Sequence, residues 1–342
     1  MNSILRNKAA ILPLMTPLKY LLVLIVLFSS VSFKMQERLE KAKLGSYVLT
    51  EQNNVYSLLF LQEKTKDYVL IEEVLFPKDA CDASELFSWL ERGAPHHYSW
   101  IEYAIDRVDG TLIECFSLSK NSFLPIEGSD LFLSTLLSLP FSPVPMHEQK
   151  KVGPAPLSDE EDRRPLWTPT LFKEGKKYKV PCNAVRATWP KDESLLSSCS
   201  LLCYFPKEEL SPFPLWIEAS NGHLSYAIHA TSFGLFPSPL PHHTIPKRPM
   251  RFLHHQEKHS NAITLSLFIP RSHKSWNLFA FDILDPQKLL GPFPCAMQET
   301  ALEYWTVTLS NLNAFLQKGH TYTWVLQSEI SSWTASEEVF SF

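Results

Sequence analysis

Apolar and polar positions alternate in short runs along most of the chain, and the runs have the length of strands rather than helices. Three follow one another near the start: "SYVLT" from Ser46, "NVYSLLFLQ" from Asn54 and "DYVLIEEVLF" from Asp67. They are rich in β-branched and aromatic residues and divided by the polar turns "EQNN" and "EKTKD". Together they predict an antiparallel meander. A charged segment before them, "QERLEKAK" at 36–43, is a predicted helix. A second is "ASELFSWLERG" at 83–93, with Leu86, Phe87 and Leu90 at helical spacing, Ser84 as cap and Gly93 as stop. Beyond it, "SWIEYAID" and "TLIECFSLS" alternate on either side of Asp109-Gly110, the signature of a hairpin.

Part of this pattern recurs. From Phe76 the chain runs "FPKDACDASELFSWLERGAPHHYSWIEYAIDRVDG", and from Phe205 "FPKEELSPFPLWIEASNG". Both pass from Phe-Pro-Lys to Trp-Ile-Glu and on to a turn, with Asn221-Gly222 where the first has Asp109-Gly110. Proline removes a ladder donor, so each Phe-Pro-Lys marks the exit of a strand. A weaker echo is "LSLFIPRSHKSWNLFAFDIL" at 265–284. The expected fold is mainly β: repeated antiparallel units over 44–235 with one or two short helices, interrupted by a polar linker at 147–165. A connector rich in proline and histidine at 236–260 then leads to a C-terminal β-sandwich at 261–342, immunoglobulin-like or related.

The amino terminus differs. Arg6, Lys8 and Lys19 precede "YLLVLIVLFSSVSF" at 20–33, a basic region, a short apolar run and small residues in the layout of a secretory signal peptide. Ser30 and Ser32 fit the small positions before a cut, leaving Phe33 first. Kept in place, residues 1–34 serve instead as a membrane anchor, since the preceding "ILPLMTPL" lengthens an apolar run that is otherwise short for a span. Both readings place the protein in a bacterial cell envelope, in the periplasm or anchored to the inner membrane. Translation from Met35 would leave it cytoplasmic.

Composition narrows the chemistry. With 45% hydrophobic and 12% aromatic residues the chain can build cores, and a net charge of −4 gives no basic field for nucleic acid. Ten glycines against 26 prolines argue against phosphate-cradling loops, and neither P-loop, dinucleotide nor serine-hydrolase motifs occur. Six cysteines are compatible with disulfides, but none forms a C-x-x-C pair. On one strand Cys199 and Cys203 would sit roughly 13 Å apart, beyond the roughly 7 Å reach of a bridge. No catalytic residue and no cofactor is indicated. His254, His255 and His259 are the candidate metal ligands, with a solvated histidine-rich linker as the competing account. His96-His97, Glu72-Glu73 and the Asp159–Asp162 cluster are expected in solvent. So are Glu102 and Glu218 of the two Trp-Ile-Glu strands, unless they form a matching pair of sites. Trp100 and Trp216 are candidates for an aromatic binding platform, with core filling as the alternative.

The strand-and-turn segments "SPFPLWIEASNGHLSYAI" and "SWIEYAIDRVDGTLIECFSLS", behind an apolar amino terminus, resemble those of uncharacterised envelope-type proteins of chlamydial bacteria. The resemblance covers about 44–235 and implies an envelope setting, without any activity. The leading functional expectation is a non-enzymatic structural or interaction module, partnered by an envelope protein or extended ligand and by the membrane through its amino-terminal segment, with no nucleic acid. The alternatives are a lipid or small-ligand carrier, with the 83–93 helix as lid over an apolar cavity, and a hydrolase or metalloenzyme using the histidine-rich segment. A continuous apolar pocket distinguishes the carrier from a module, which needs a flat aromatic patch or an unpaired sheet edge.

Overall fold

The computed structural model describes residues 35–126, 132–156, 161–173, 176–208, 211–237, 245–259, 261–285, 288–328 and 333–342; the amino-terminal apolar block lies outside them. Within them the chain is mainly β. Helix α1 (Met35–Lys41) leads into the predicted meander, β1 (Ser46–Gln52), β2 (Val55–Lys64) and β3 (Tyr68–Pro77). Asn53 and Asn54 both take positive φ, giving the two-residue turn that joins twisted antiparallel strands. Helix α2 (Leu86–Glu91) is shorter than predicted, and Ser84 does not cap it: its amide and hydroxyl both donate to the Asp82 carboxylate. The predicted hairpin follows as β4 (Ser99–Asp106) and β5 (Leu112–Ser117), then β6 (Ser122–Phe123).

A helix absent from the expectations, α3 (Phe132–Ser138), comes next, then β7 (Ser142–Pro143) and a separate ribbon of β8 (Thr170–Lys173) and β9 (Lys176–Lys179). The second half is β10 (Cys182–Thr188), β11 (Ser200–Pro206), β12 (Trp216–Ser220) and β13 (Ser225–Leu235). Eleven strands form one antiparallel sheet in the order β6-β5-β4-β3-β2-β1-β13-β12-β11-β10-β7. This order contains two five-stranded meanders running in the same sense, β5 to β1 and β13 to β7, each preceded by a short helix. The Trp-Ile-Glu strands are equivalent: Trp100 and Trp216 face one side, Ile101 and Ile217 the other. The Phe-Pro-Lys corners both end their strands but are not equivalent. Trp100 pairs with Val74, two residues before Phe76, whereas Trp216 pairs with Tyr204, one before Phe205. That one-residue offset sends Phe76 to the outer face and Phe205 to the inner.

The inner face carries a contact cluster reaching from Cys115 on β5 to Val185 on β10, with α1 and α3 inside it. Arg38 of α1 donates to Pro206 on β11 while Glu40, two residues on, accepts from Arg107 at the end of β4, six strand spacings away in that order, so the sheet curls around the helices. Met35, Leu39 and Ala42 seat α1, which is pinned at both ends: Arg38 donates to the Pro206 and Ser211 carbonyls, while Lys64 donates to the Glu40 and Ala42 carbonyls. On the outer face α2 packs through Leu86, Trp89 and Leu90, with Trp89 against Phe76 at 4.4 Å.

The C-terminal unit has eight strands: β14 (Arg251–His259), β15 (Ala262–Phe268), β16 (Trp276–Asp282), β17 (Leu289–Leu290), β18 (Ala296–Ala301), β19 (Tyr304–Ser310), β20 (Thr321–Ser328) and β21 (Trp333–Ser341). Two four-stranded sheets, β14-β15-β19-β18 and β17-β16-β20-β21, share a core built on Leu267, Val307, Tyr322 and Trp324. The sandwich therefore begins at Arg251, earlier than the expected connector allowed. The 265–284 echo is split between its two sheets and is no third repeat. Arg248, just before β14, joins sandwich to curled sheet: it donates to Glu114 Oε1 (2.6 Å), the Leu124 carbonyl (2.7 Å) and Glu303 Oε2 (3.4 Å), and lies over the Phe123 and Phe268 rings.

Gly110, in the β4–β5 turn, has φ +78°, and a Cβ there would overlap the Gln36 amide of α1. Gly110→Ala is expected to cost about 1–3 kcal/mol. The midpoint of urea unfolding measures it, and an unchanged midpoint would contradict this seating of α1.

Candidate functional site

The two helices do not fill the inner face. Between α3 and the strands lies a cavity of about 440 Å³, lined from six adjacent strands, β4, β3, β2, β1, β13 and β12, together with α3 and the Phe213–Leu215 segment. Most of its wall is apolar. Val55, Leu59, Leu75, Phe132 and Ile228 are half-buried residues facing it, and Leu133 and Leu136 of α3 close one side. Phe132 stacks on Trp189 at 5.5 Å, which anchors the start of α3. Gln52 and Asn53 at the β1–β2 turn line the cavity and are exposed, so it opens there.

Apart from Thr50 and the mouth residues Gln52 and Asn53, the polar side chains of this wall form one cluster. Ser57 Oγ donates to Glu73 Oε1 and the Tyr103 hydroxyl to Glu73 Oε2, both at 2.9 Å. Hydrogen bonding on both oxygens is what lets a carboxylate sit beside an apolar surface.

The neighbouring residue, Glu72, points the other way and is buried beneath the outer face, where it pairs across the strands with Glu102. This corrects the expectation that Glu72 and Glu102 face solvent: α2, the connector and the sandwich cover much of this outer face. Trp100 Nε1 donates to Glu72 Oε2 at 2.6 Å. Burial, then the nearby Glu102 charge, push the Glu72 carboxyl up to about 8 despite that hydrogen bond, and burial alone raises Glu102 to about 7. Neither Glu102 oxygen has a hydrogen-bond partner. Glu218, the matching residue of the second unit, is half-buried and paired with Lys150 at 2.5 Å, so the two glutamates do not form a matched pair of sites.

The candidate binding residues are both on the outer face, away from the cavity. Trp100 is buried with Phe76 and Trp89, and Trp216 is half-buried edge-on to Trp167 at 5.2 Å, its indole donating to Glu218. The helix expected to be a lid, α2, also packs on the outer face, so covering the cavity falls to α3. His254, His255 and His259 lie on β14 rather than in a linker or helix, and their side chains are outside the described residues. Among the described residues no group of three or more His, Cys, Asp or Glu is arranged to hold a metal. His97 bonds the Ala94 carbonyl and Ser119 in a loop. All six cysteines are free thiols, and burial pushes Cys115 and Cys182 up to about 12. Among the described residues no helix is long and apolar enough to cross a membrane.

A family model described as CT021 protein matches residues 57–179, from within β2 to the end of β9. Among solved structures, a 2.0 Å structure of the hypothetical protein CT021 from Chlamydia trachomatis is 20% identical, covering 64% of this chain and 100% of that one, with a TM-score of 0.44. No curated protein matches. The chain is thus similar to a chlamydial protein whose description states no activity, and the expected chlamydial resemblance holds at that level.

Because Glu72 and Glu102 titrate above the ordinary carboxylate value of 4.5, the folded chain keeps protons that the unfolded chain has released. Their contribution to stability is present below pH 4.5 and is lost as pH rises towards 8, each group costing about 1.4 kcal/mol for every pH unit crossed between its unfolded and folded values. Glu102→Gln removes one of the two charges. Its urea midpoint is expected to exceed that of the native chain at pH 8 and to change less between pH 5 and 8; parallel profiles would refute the buried pair.

Proposed function

We propose that this protein binds and carries one small apolar or amphipathic molecule inside the curled sheet. The cavity carries the reading: its volume falls in the range of small-molecule sites, its wall is mainly apolar, and it holds a hydrogen-bonded polar cluster at Glu73. At the large sheet strand addition is less well supported, because its two edges are the two-residue strands β6 and β7.

The amino-terminal block supports placing this carrier in a cell envelope, exported or anchored, where apolar cargo needs a protein to cross water. An immunoglobulin-like reading of the sandwich is supported by its strand order. Taken as A to G, β14-β15-β19-β18 is A-B-E-D, and β16-β20-β21 is C-F-G with β17 added at the edge.

N-phenyl-1-naphthylamine, a neutral dye that brightens on leaving water, tests the cavity. The native chain is expected to bind it, and Leu136→Trp and Ile228→Trp, which fill the space from opposite sides, to bind it at least about tenfold more weakly, a difference of about 1.4 kcal/mol. A native chain that leaves the dye dark, or variants that both bind it as tightly as the native chain, would remove the carrier reading.

A further inference from the structure

A second cavity, of about 360 Å³, lies where the outer face of the sheet meets the connector and the sandwich. Its apolar wall comes from Tyr68 on β3, Ala104 on β4, Ile113 on β5 and Ile245-Pro246 of the connector. Small-molecule sites favour such junctions between units. Two observations separate it from a packing gap. Glu114 and Ser272 both line it, and Glu114 Oε2 and Ser272 Oγ are buried without a hydrogen-bond partner. Glu114 is almost fully buried, and its other oxygen is occupied by Arg248 and by the Cys115 amide. Interiors seldom leave such atoms unpaired. Cations also line the space: Lys274 pairs with Asp67 at 3.0 Å, while Lys247 and Arg271 are exposed beside it.

We propose that this cavity is a second binding site, for a small organic anion with an apolar body and one hydrogen-bond donor. The body lies on Ala104, Ile113 and Ile245, the anionic group meets Lys247 and Arg271, and the donor satisfies Glu114 Oε2. The site is independent of the inner cavity. It differs in chemistry as well, since the inner wall has no cationic side chain among the described residues.

Two dyes on one scaffold test it. 8-Anilinonaphthalene-1-sulfonate carries an apolar body, an N–H donor and a sulfonate, and N-phenyl-1-naphthylamine lacks the sulfonate. With the full chain, Lys247→Ala/Arg271→Ala is expected to weaken the sulfonate dye about tenfold or more and leave the neutral dye unaffected. Ile113→Trp should abolish sulfonate-dye binding at this site, and Leu136→Trp should spare it. The exposed double variant decides the matter even if Ile113→Trp does not fold. No binding of the sulfonate dye, equal binding by the native chain and the double variant, or loss of binding in Leu136→Trp would each overturn the proposal.

Discussion

An eleven-stranded sheet with an apolar inner face has to cover that face, and among the described residues the cover is two seven-residue helices, the small β8–β9 ribbon and the segments beside them. Flat, the sheet would be roughly 48 Å across, while each helix is about 10 Å long. The rest of the architecture follows from that mismatch. The sheet closes on α1 and α3 until α1 touches both β11, through Arg38, and the end of β4, through Glu40. Where two short helices still fall short, a cavity remains.

Covering the outer face creates a second interior. Antiparallel sheets often leave one face to water, but here α2, the connector and the sandwich lie against it, and all six residues of β5 are buried. Glu72 and Glu73 show the consequence on adjacent residues of one strand. Glu73 faces the inner cavity and accepts hydrogen bonds from Ser57 and Tyr103. Glu72 lies on the covered side opposite Glu102, where holding a proton is the easier solution.

Arg248 is the joint between the units. Its guanidinium lies between Glu114 of the sheet and Glu303 of the sandwich, with a backbone carbonyl and two aromatic faces completing its surroundings. Desolvation offsets much of the attraction in a buried ion pair of this kind, while removing one partner leaves an uncompensated buried charge. The second cavity adjoins this joint and shares Glu114 with it.

Local chemistry was legible in the sequence. The meander, the hairpin near Asp109-Gly110, the paired Trp-Ile-Glu strands, the strand exits at Pro77 and Pro206 and the C-terminal sandwich each rest on period-two alternation or on turn residues, which act over a few positions. Even α3 left a trace, with Leu133, Leu136 and Leu137 at helical spacing ahead of Pro140. Alternation states that a strand has two faces; it does not state what will cover either one. The inward turn of Phe205 against the outward turn of Phe76, the burial of Glu72 and Glu102, the exchange of α2 for α3 as cavity cover and both cavities were decided by segments far away in the chain. Only the tertiary structure brings those segments together, because the curl of a sheet is a property of all its strands at once.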